Sequence, residues 1–223
     1  MGLIDLLPSP LKQQGWPWTE ETNPATYDTS MQWPKISIVT PSFNQGQFIE
    51  ETIRSVLLQN YPNLEYIIID GGSTDNTVEI IKKYAPWITY WVSEPDRGQS
   101  HAINKGIERC TGEIFNWINS DDYYELNAFF KIAKSFLSTD ADIVCGKEIL
   151  FKEGAKNTIS HLSDGTFIFS DITETLFWAR IDQPPTFFKG SVIKELGLLN
   201  ESLNFIMDAD LWVRYLTRYG QSK

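Results

Sequence analysis

Between residues 36 and 145, short apolar runs alternate with segments of helical spacing, and this alternation restricts the possible folds more than any other feature of the chain. Ile36-Ser-Ile-Val-Thr40, closed by Pro41, reads as a strand ending in a loop. Residues 47–59 carry Phe48, Ile49, Ile53, Val56 and Leu57 at the spacing of one helix face. Within 64–70, Tyr66-Ile-Ile-Ile69 is apolar enough for a strand covered on both faces. Gly71-Gly-Ser-Thr-Asp-Asn76 is a turn, and helical spacing returns over 76–84. Further strands are expected at 88–92, 113–119 and 142–145, with helices ending near Arg109 and spanning 126–137. Such alternation predicts an α/β fold with a mostly parallel sheet flanked by helices on both faces. Ligands of these sheets bind beyond the carboxyl ends of the strands. Four polar clusters fall at those ends, at 42–44, 70–75, 94–99 and 120–122.

The flanks read differently. Residues 1–34 look like a lead-in outside the core, broken by Pro8, Pro10, Pro17, Pro24 and Pro34. Trp16, Trp18 and Trp33 are expected to pack this segment onto the main body. Residues 35–145 form the first expected half of the main body and 146–223 the second. In the latter, the pattern suggests a hairpin over 147–162, a short helix near 171–177 and a strand after Gln183-Pro-Pro-Thr-Phe-Phe188. A last helix is expected from about Asp208 to Tyr219.

Composition narrows the function. A chain of 223 residues, 42% hydrophobic and 22% charged, is long enough for one sizeable core. Its net charge of −10 argues against nucleic acid as the main partner, since phosphate backbones demand clustered Lys and Arg. An acidic protein that binds a diphosphate must also bring in a cation, and a metal held by carboxylates would do so. No run approaches the roughly 20 apolar residues of a membrane span, and the first residues lack a signal peptide's basic flank and apolar core. Cys110 and Cys145 read as buried thiols in a reducing compartment. These features favour the cytoplasm.

Two acidic clusters could carry chemistry. Asp121 and Asp122 follow an apolar strand, where a hard divalent cation would offset their repulsion. The competing reading is a helix N-terminus, where Asp is favoured by capping and by the dipole. Asp70 ends a buried strand ahead of Gly71 and Gly72, so a ligand donor such as a base N–H is a plausible partner, while Asp75 can cap the next helix. The loop after the first strand, Pro41-Ser-Phe-Asn-Gln-Gly46, lacks both phosphate-binding glycine fingerprints, which counts against an ATPase or an NAD-dependent dehydrogenase. Phe43 could stack on a flat base.

Four segments occur in order: ISIVTPSFN at 36–44, IIIDGGSTDNT at 67–77, EPDRGQSHAINKG at 94–106 and TGEIFNWINSDD at 111–122. Together they resemble the family 2 glycosyltransferases with the GT-A fold, over about residues 35–212. The resemblance implies that Pro41, Ser42 and Phe43 line a uridine site and that Asp70 accepts the uracil N–H. It places Arg97 near the base or diphosphate, Asp121 at the ribose or sugar, and Asp122 on Mn2+ or Mg2+. Asn44, Ser73, Asp96 and Asn104, inside the same motifs, complete the expected donor side. The family's D-x-D label fits loosely, since its first Asp is Ser120 here. In Met207-Asp-Ala-Asp-Leu-Trp212 the match for the general base is Asp208, with Asp210 and Gln183 on the acceptor side. His101 is expected to be structural, and His161 has no assigned role. The implied reaction is a single inverting displacement on a nucleotide sugar, most plausibly a UDP-sugar. The acceptor would be a glycan or lipid-linked hydroxyl in cell-envelope polysaccharide synthesis, reached by peripheral association with the inner membrane face. Many relatives continue beyond the catalytic helix, so the end at Lys223 suggests a truncated acceptor half. Alternatives are a nucleotidyltransferase, for which the basic glycine-rich loop is missing, and a non-catalytic sugar-nucleotide-binding module.

Overall fold

The computed structural model describes residues 2–10, 12–152, 155–162, 182–203 and 205–220. The short helix expected near 171–177 lies outside the described residues.

The first four strands are β1 (Ile36–Ser42), β2 (Leu64–Asp70), β3 (Tyr90–Ser93) and β4 (Ile114–Trp117), with α1 (Ile49–Leu57), α2 (Thr77–Tyr84) and α3 (Gln99–Ile107) between them. Then come α4 (Ala128–Ser138), β5 (Ile143–Cys145), β6 (Ile149–Lys152), β7 (Ala155–Leu162), β8 (Thr186–Lys189), α5 (Gly190–Leu196) and α6 (Met207–Tyr219). The main sheet has six strands in the order β3-β2-β1-β4-β8-β5. Strands β1 to β4 are parallel where they pair, whereas β8 runs antiparallel to both β4 and β5. The hairpin β6–β7 forms a separate two-stranded sheet.

Two-residue alternation splits the core into two layers. Ile36, Ile38, Tyr66, Ile68 and Ile114 face one side and pack with Ile49, Ile53, Ile80, Ile81 and Phe129 from α1, α2 and α4. Val39, Ile67, Ile69, Phe115 and Trp117 face the other, against Ala102 and Ile103 of α3, Val192 and Ile193 of α5, and Leu211 and Trp212 of α6. The helix α3 lies very close to β1: a Cβ on Gly106 would come within 2.4 Å of a Val39 methyl. Only glycine allows that approach.

The segment before β1, which by its prolines reads as lying outside the core, contributes Leu7, Tyr27 and Trp33 to the first layer. Its anchor is Arg54 of α1, only 1% exposed. The guanidinium donates to the carbonyls of Pro8 (2.8 Å), Pro17 (3.0 Å) and Trp18 (2.8 Å) and to the Tyr84 hydroxyl (3.1 Å). Trp18 also lies 5.4 Å from it in a cation–π contact. A buried cation is tolerated only with its donors satisfied, and removing it would strand three carbonyls. Arg54→Met is therefore expected to cost about 4 kcal/mol, lowering Tm by roughly 8–16 °C for a chain of this size. An unchanged melting curve would show that the segment does not depend on this contact.

Both cysteines are free, and burial raises their thiol pKa values, that of Cys110 to about 12. No described helix is long and apolar enough to cross a membrane.

Candidate active site

A cleft of about 670 Å³ opens where the parallel strands end. Its wall takes Pro41, Ser42 and Phe43 from the end of β1, Gly71 from the end of β2, Asp96 and Gly98 from the β3–α3 loop, and Asn119 to Asp121 from beyond β4. Four loops separated in sequence thus meet at one place, as crossover connections in a parallel sheet require. Among the described residues the lining side chains include two carboxylates, Asp96 and Asp121, and no Lys, Arg or His.

Ser42 is 5% exposed, and its hydroxyl oxygen is buried without a hydrogen-bond partner. An orphaned buried hydroxyl on a cleft wall costs free energy unless a ligand group meets it. Phe43 is 58% exposed and supplies a flat apolar surface beside it. Also at the cleft wall, α3 begins at Gln99 with Gly98 as its N-cap and no side-chain capping bond. Its first N–H groups therefore make an electropositive end at the cleft wall. Asp96 accepts the Gly98 N–H (2.8 Å) and leans over Gly71, where an added Cβ would stand 2.7 Å from the carboxylate oxygen.

The two Asp residues after β4 occupy different positions. Asp121 is exposed and lines the cleft, while Asp122 is partly buried beneath it. Burial first, and then the neighbouring Asp121 carboxylate, raise the Asp122 pKa to about 6, against the lowering effect of a hydrogen bond from Asn119 Nδ2 (3.3 Å). Neither residue caps a helix, because α4 starts at Ala128 with Asn127 as its N-cap. The capping explanation of this acidic pair therefore fails. Glu148, and through it Asp182, lies in the same negative field. Carboxylate oxygens are hard donors of the kind that suit Mg2+ or Mn2+, and Asp121 presents one on the cleft wall with Asp122 next to it in the chain. Among the described residues no three acidic, His or Cys side chains form a complete metal site.

Several residues expected on the donor side have their polar groups committed elsewhere. Asp70 is fully buried, and its oxygens accept from the N–H groups of Gly72 (3.1 Å) and Ser73 (2.9 Å) and from the hydroxyls of Ser73 and Ser93. Three of these donors meet Oδ2 and one meets Oδ1, so the Asp70 carboxylate is engaged in shaping the loop that follows β2. Ser73 Oγ also accepts the Asn44 N–H (2.7 Å), and Asn44 Oδ1 accepts the Thr74 N–H (2.9 Å). Asn44 and Ser73 therefore join two cleft loops and do not line the cleft. Asn104, expected at the donor, is buried and brackets the backbone of Leu199, accepting its N–H (2.7 Å) and donating to its carbonyl (2.9 Å). The Arg97 guanidinium pairs with Glu201 (2.6 and 2.9 Å) and points to the same 199–201 loop.

On the expected acceptor side, Gln183 is buried and donates to Trp117 O (2.8 Å) and Asn116 Oδ1 (3.1 Å), which fastens its loop to β4. Asp210 is ion-paired with Arg214 (2.9 Å) one helical turn on. Asp208 lies in the first turn of α6, partly buried, with Oδ1 accepting the Ala209 N–H (2.8 Å). The 199–203 loop ahead of it is tied to α3 by Asn104 and Ser100, and to Arg97, the residue before the α3 N-cap. His101 accepts the Arg97 N–H (3.1 Å) and so belongs to the framework. Sequence reasoning passed over Gln99 and Asn119, whose side chains bond across the cleft (2.6 Å), although both lie inside the motifs quoted above.

A family model described as "Glycosyl transferase family 2" matches residues 37–191. An uncharacterized glycosyltransferase of Rickettsia typhi is 30% identical over 189 residues, covering 82% of this chain and 59% of that protein. Glycosyltransferase GlyG of Streptococcus pneumoniae is 32% identical over 137 residues, 60% of this chain and 42% of GlyG. The chain thus spans less than two thirds of these relatives. Among solved structures, S. aureus TarS matches with a TM-score of 0.63 at 21% identity, covering 82% of this chain and 33% of TarS. TarS 1-349 has been solved in complex with UDP, and matches with a TM-score of 0.62 at 20% identity over 82% of this chain and 55% of that one. The mannosyltransferase PcManGT from Pyrobaculum calidifontis, in complex with GDP-Man and Mn2+, gives 0.55 at 22% identity over 77% and 49% of the two chains. Those structural likenesses carry the GT-A architecture, and the family match runs from β1 through the cleft motifs to the start of α5: the chain belongs to glycosyl transferase family 2.

Proposed function

We propose that this chain transfers a sugar from a UDP-sugar to an acceptor hydroxyl with inversion at the anomeric carbon. The observation that carries the reading is the cleft itself, whose wall brings together an orphaned Ser42 hydroxyl, an exposed aromatic, an uncapped helix N-terminus and the Asp96 and Asp121 carboxylates. That arrangement suits a molecule with a flat polar base at one end and a diphosphate at the other. The nucleotides in the TarS and PcManGT complexes support the same class of ligand.

In this reading Phe43 stacks on the base and Ser42 Oγ gains the hydrogen bond it lacks. The first N–H groups of α3 meet diphosphate oxygens. Asp122, with Asp121 beside it, would hold Mn2+ or Mg2+, which when bound neutralises negative charge on the departing diphosphate. Asp121, exposed on the wall, is placed to touch the sugar or ribose. Asp208 takes the proton of the acceptor hydroxyl as its oxygen attacks the anomeric carbon. One base and one direct displacement give inversion, with no covalent intermediate. A glycan or lipid-linked acceptor of the cell envelope, met at the inner membrane face, is the proposed setting.

A panel of UDP-sugars, assayed for UDP release with Mn2+ or Mg2+, tests this directly. Release from one donor, dependent on the metal, is the expected result. Donor binding without release under any condition would favour the non-catalytic module.

A further inference from the structure

The loop that carries Asp122 is held by side chains from other elements, and part of what holds it lies before the family-matched region. Over residues 122–127, five backbone groups bond to side chains from other elements. Three bonds come from one stripe of α1 and the residues just beyond it: Thr52 Oγ1 donates to Asp122 O (2.7 Å), Ser55 Oγ accepts the Tyr124 N–H (3.2 Å), and Gln59 Nε2 donates to Glu125 O (3.0 Å). The other two come from the N-terminal segment. Trp16 Nε1–H donates to Tyr124 O (2.7 Å), and Thr22 Oγ1 accepts the Asn127 N–H (3.1 Å). That segment is itself seated on α1 by Arg54, and by the Thr22 N–H on Leu58 O (2.8 Å). The Tyr124 ring is buried against Phe129 and Phe187, with its hydroxyl on Asn116 (2.9 Å). Tyr124 is therefore fixed on every side, two residues from the proposed metal ligand.

We infer that the N-terminal segment is a positioning element for the metal-binding loop, with Trp16 as its positioning residue. This rests on the reading of Asp122 as a metal ligand. The physical basis is that outer contacts fix the orientation of a ligating carboxylate, and their loss weakens metal affinity by about 10- to 100-fold. If the segment served only as a cover for the core, cutting its bond to Tyr124 O would lower stability and leave the metal site unchanged.

The test measures Mn2+ occupancy of the full chain at saturating UDP, by loss of the free-ion electron paramagnetic resonance signal. Trp16→Phe removes the N–H donor. Replacement of Trp16 by benzothienylalanine removes the same donor at nearly constant shape, which keeps the question open to test if the smaller ring destabilises the fold. Trp33→Phe is the matched control, since Trp33 is in the same segment, buried in the core, and donates only within the segment, to Asp28 O (3.0 Å). Both Trp16 variants should raise the Mn2+ concentration for half occupancy by about tenfold, the lower end of outer-contact losses. Trp33→Phe should leave it within about twofold even where its melting temperature falls as far. An unchanged Mn2+ midpoint in the Trp16 variants, or an equal shift in Trp33→Phe, overturns the inference. Failure of the wild-type chain to bind Mn2+ with UDP would instead refute the metal reading before any variant is compared, and the inference would fall with it.

Discussion

Asp122→Ala should lower kcat/KM for sugar transfer by about a thousandfold or more while the protein stays folded. A cation that offsets charge on a departing diphosphate contributes several kcal/mol to the transition state, and each 1.36 kcal/mol is a factor of ten. Stability should move the other way or not at all. Burial, with Asp121 beside it, raises the Asp122 pKa to about 6, so its ionised form is disfavoured in the folded chain. Removing it relieves that cost, and a variant that melts no lower yet is inactive is what a residue kept for function produces. Undiminished turnover would remove Asp122 from the mechanism.

Asp208→Asn should reduce kcat by about 10²- to 10⁴-fold, the range for a lost general base, and leave UDP affinity with Mn2+ unchanged. Asp208 also sits in the first turn of α6, where a carboxylate interacts favourably with the helix dipole. That structural contribution is only about 0.3–1 kcal/mol, too small to account for a loss of this size. Asn retains an oxygen for the Ala209 N–H, so local geometry is kept. A fall in kcat with intact UDP binding and a small change in Tm separates the base from a helix-start residue. Equal loss of donor binding would place Asp208 in the donor site.

The sheet was legible because its strands announce themselves twice, by β-branched or fully apolar runs and by the turns that close them. Tyr66-Ile-Ile-Ile69 has to be covered on both faces, and it lies one strand in from the β3 edge, between two helix layers. By contrast α5 was not foreseen. Its seven residues, Gly190–Leu196, follow β8 without a break and carry no capping side chain, so neither the periodicity nor a start signal stands out. The role of the first 34 residues was equally hidden, since the proline-broken pattern does not reveal that Arg54 collects carbonyls from Pro8, Pro17 and Trp18.

The place of the candidate site was legible as well, but the division of labour within it was not. Motifs mark polar residues without saying which face a ligand and which hold the loops that do. Asp70 ends its strand where the following turn offers N–H groups of Gly72 and Ser73, and Ser93 arrives from β3, so its charge is spent locally. Asn104 projects from α3 toward Leu199, 95 residues away, and only the packing of α3 against the later loop reveals that partner. Arg97, Gln183 and Asp210 likewise found protein partners across or along the chain. Asp122 moved in the opposite direction: the chain runs on irregularly to Asn127, and the absence of a helix start at that pair makes capping untenable.

The account stands most directly on whether a metal at Asp122 couples this cleft to a nucleoside diphosphate. Calorimetric titration of UDP into the wild-type chain, with Mn2+ and then with a chelator, measures that coupling. The predicted result is binding at least about tenfold tighter with Mn2+, a difference of roughly 1.4 kcal/mol, and loss of that difference in Asp122→Ala. Equal UDP affinity with and without the ion, or a metal effect that survives Asp122→Ala, would contradict it.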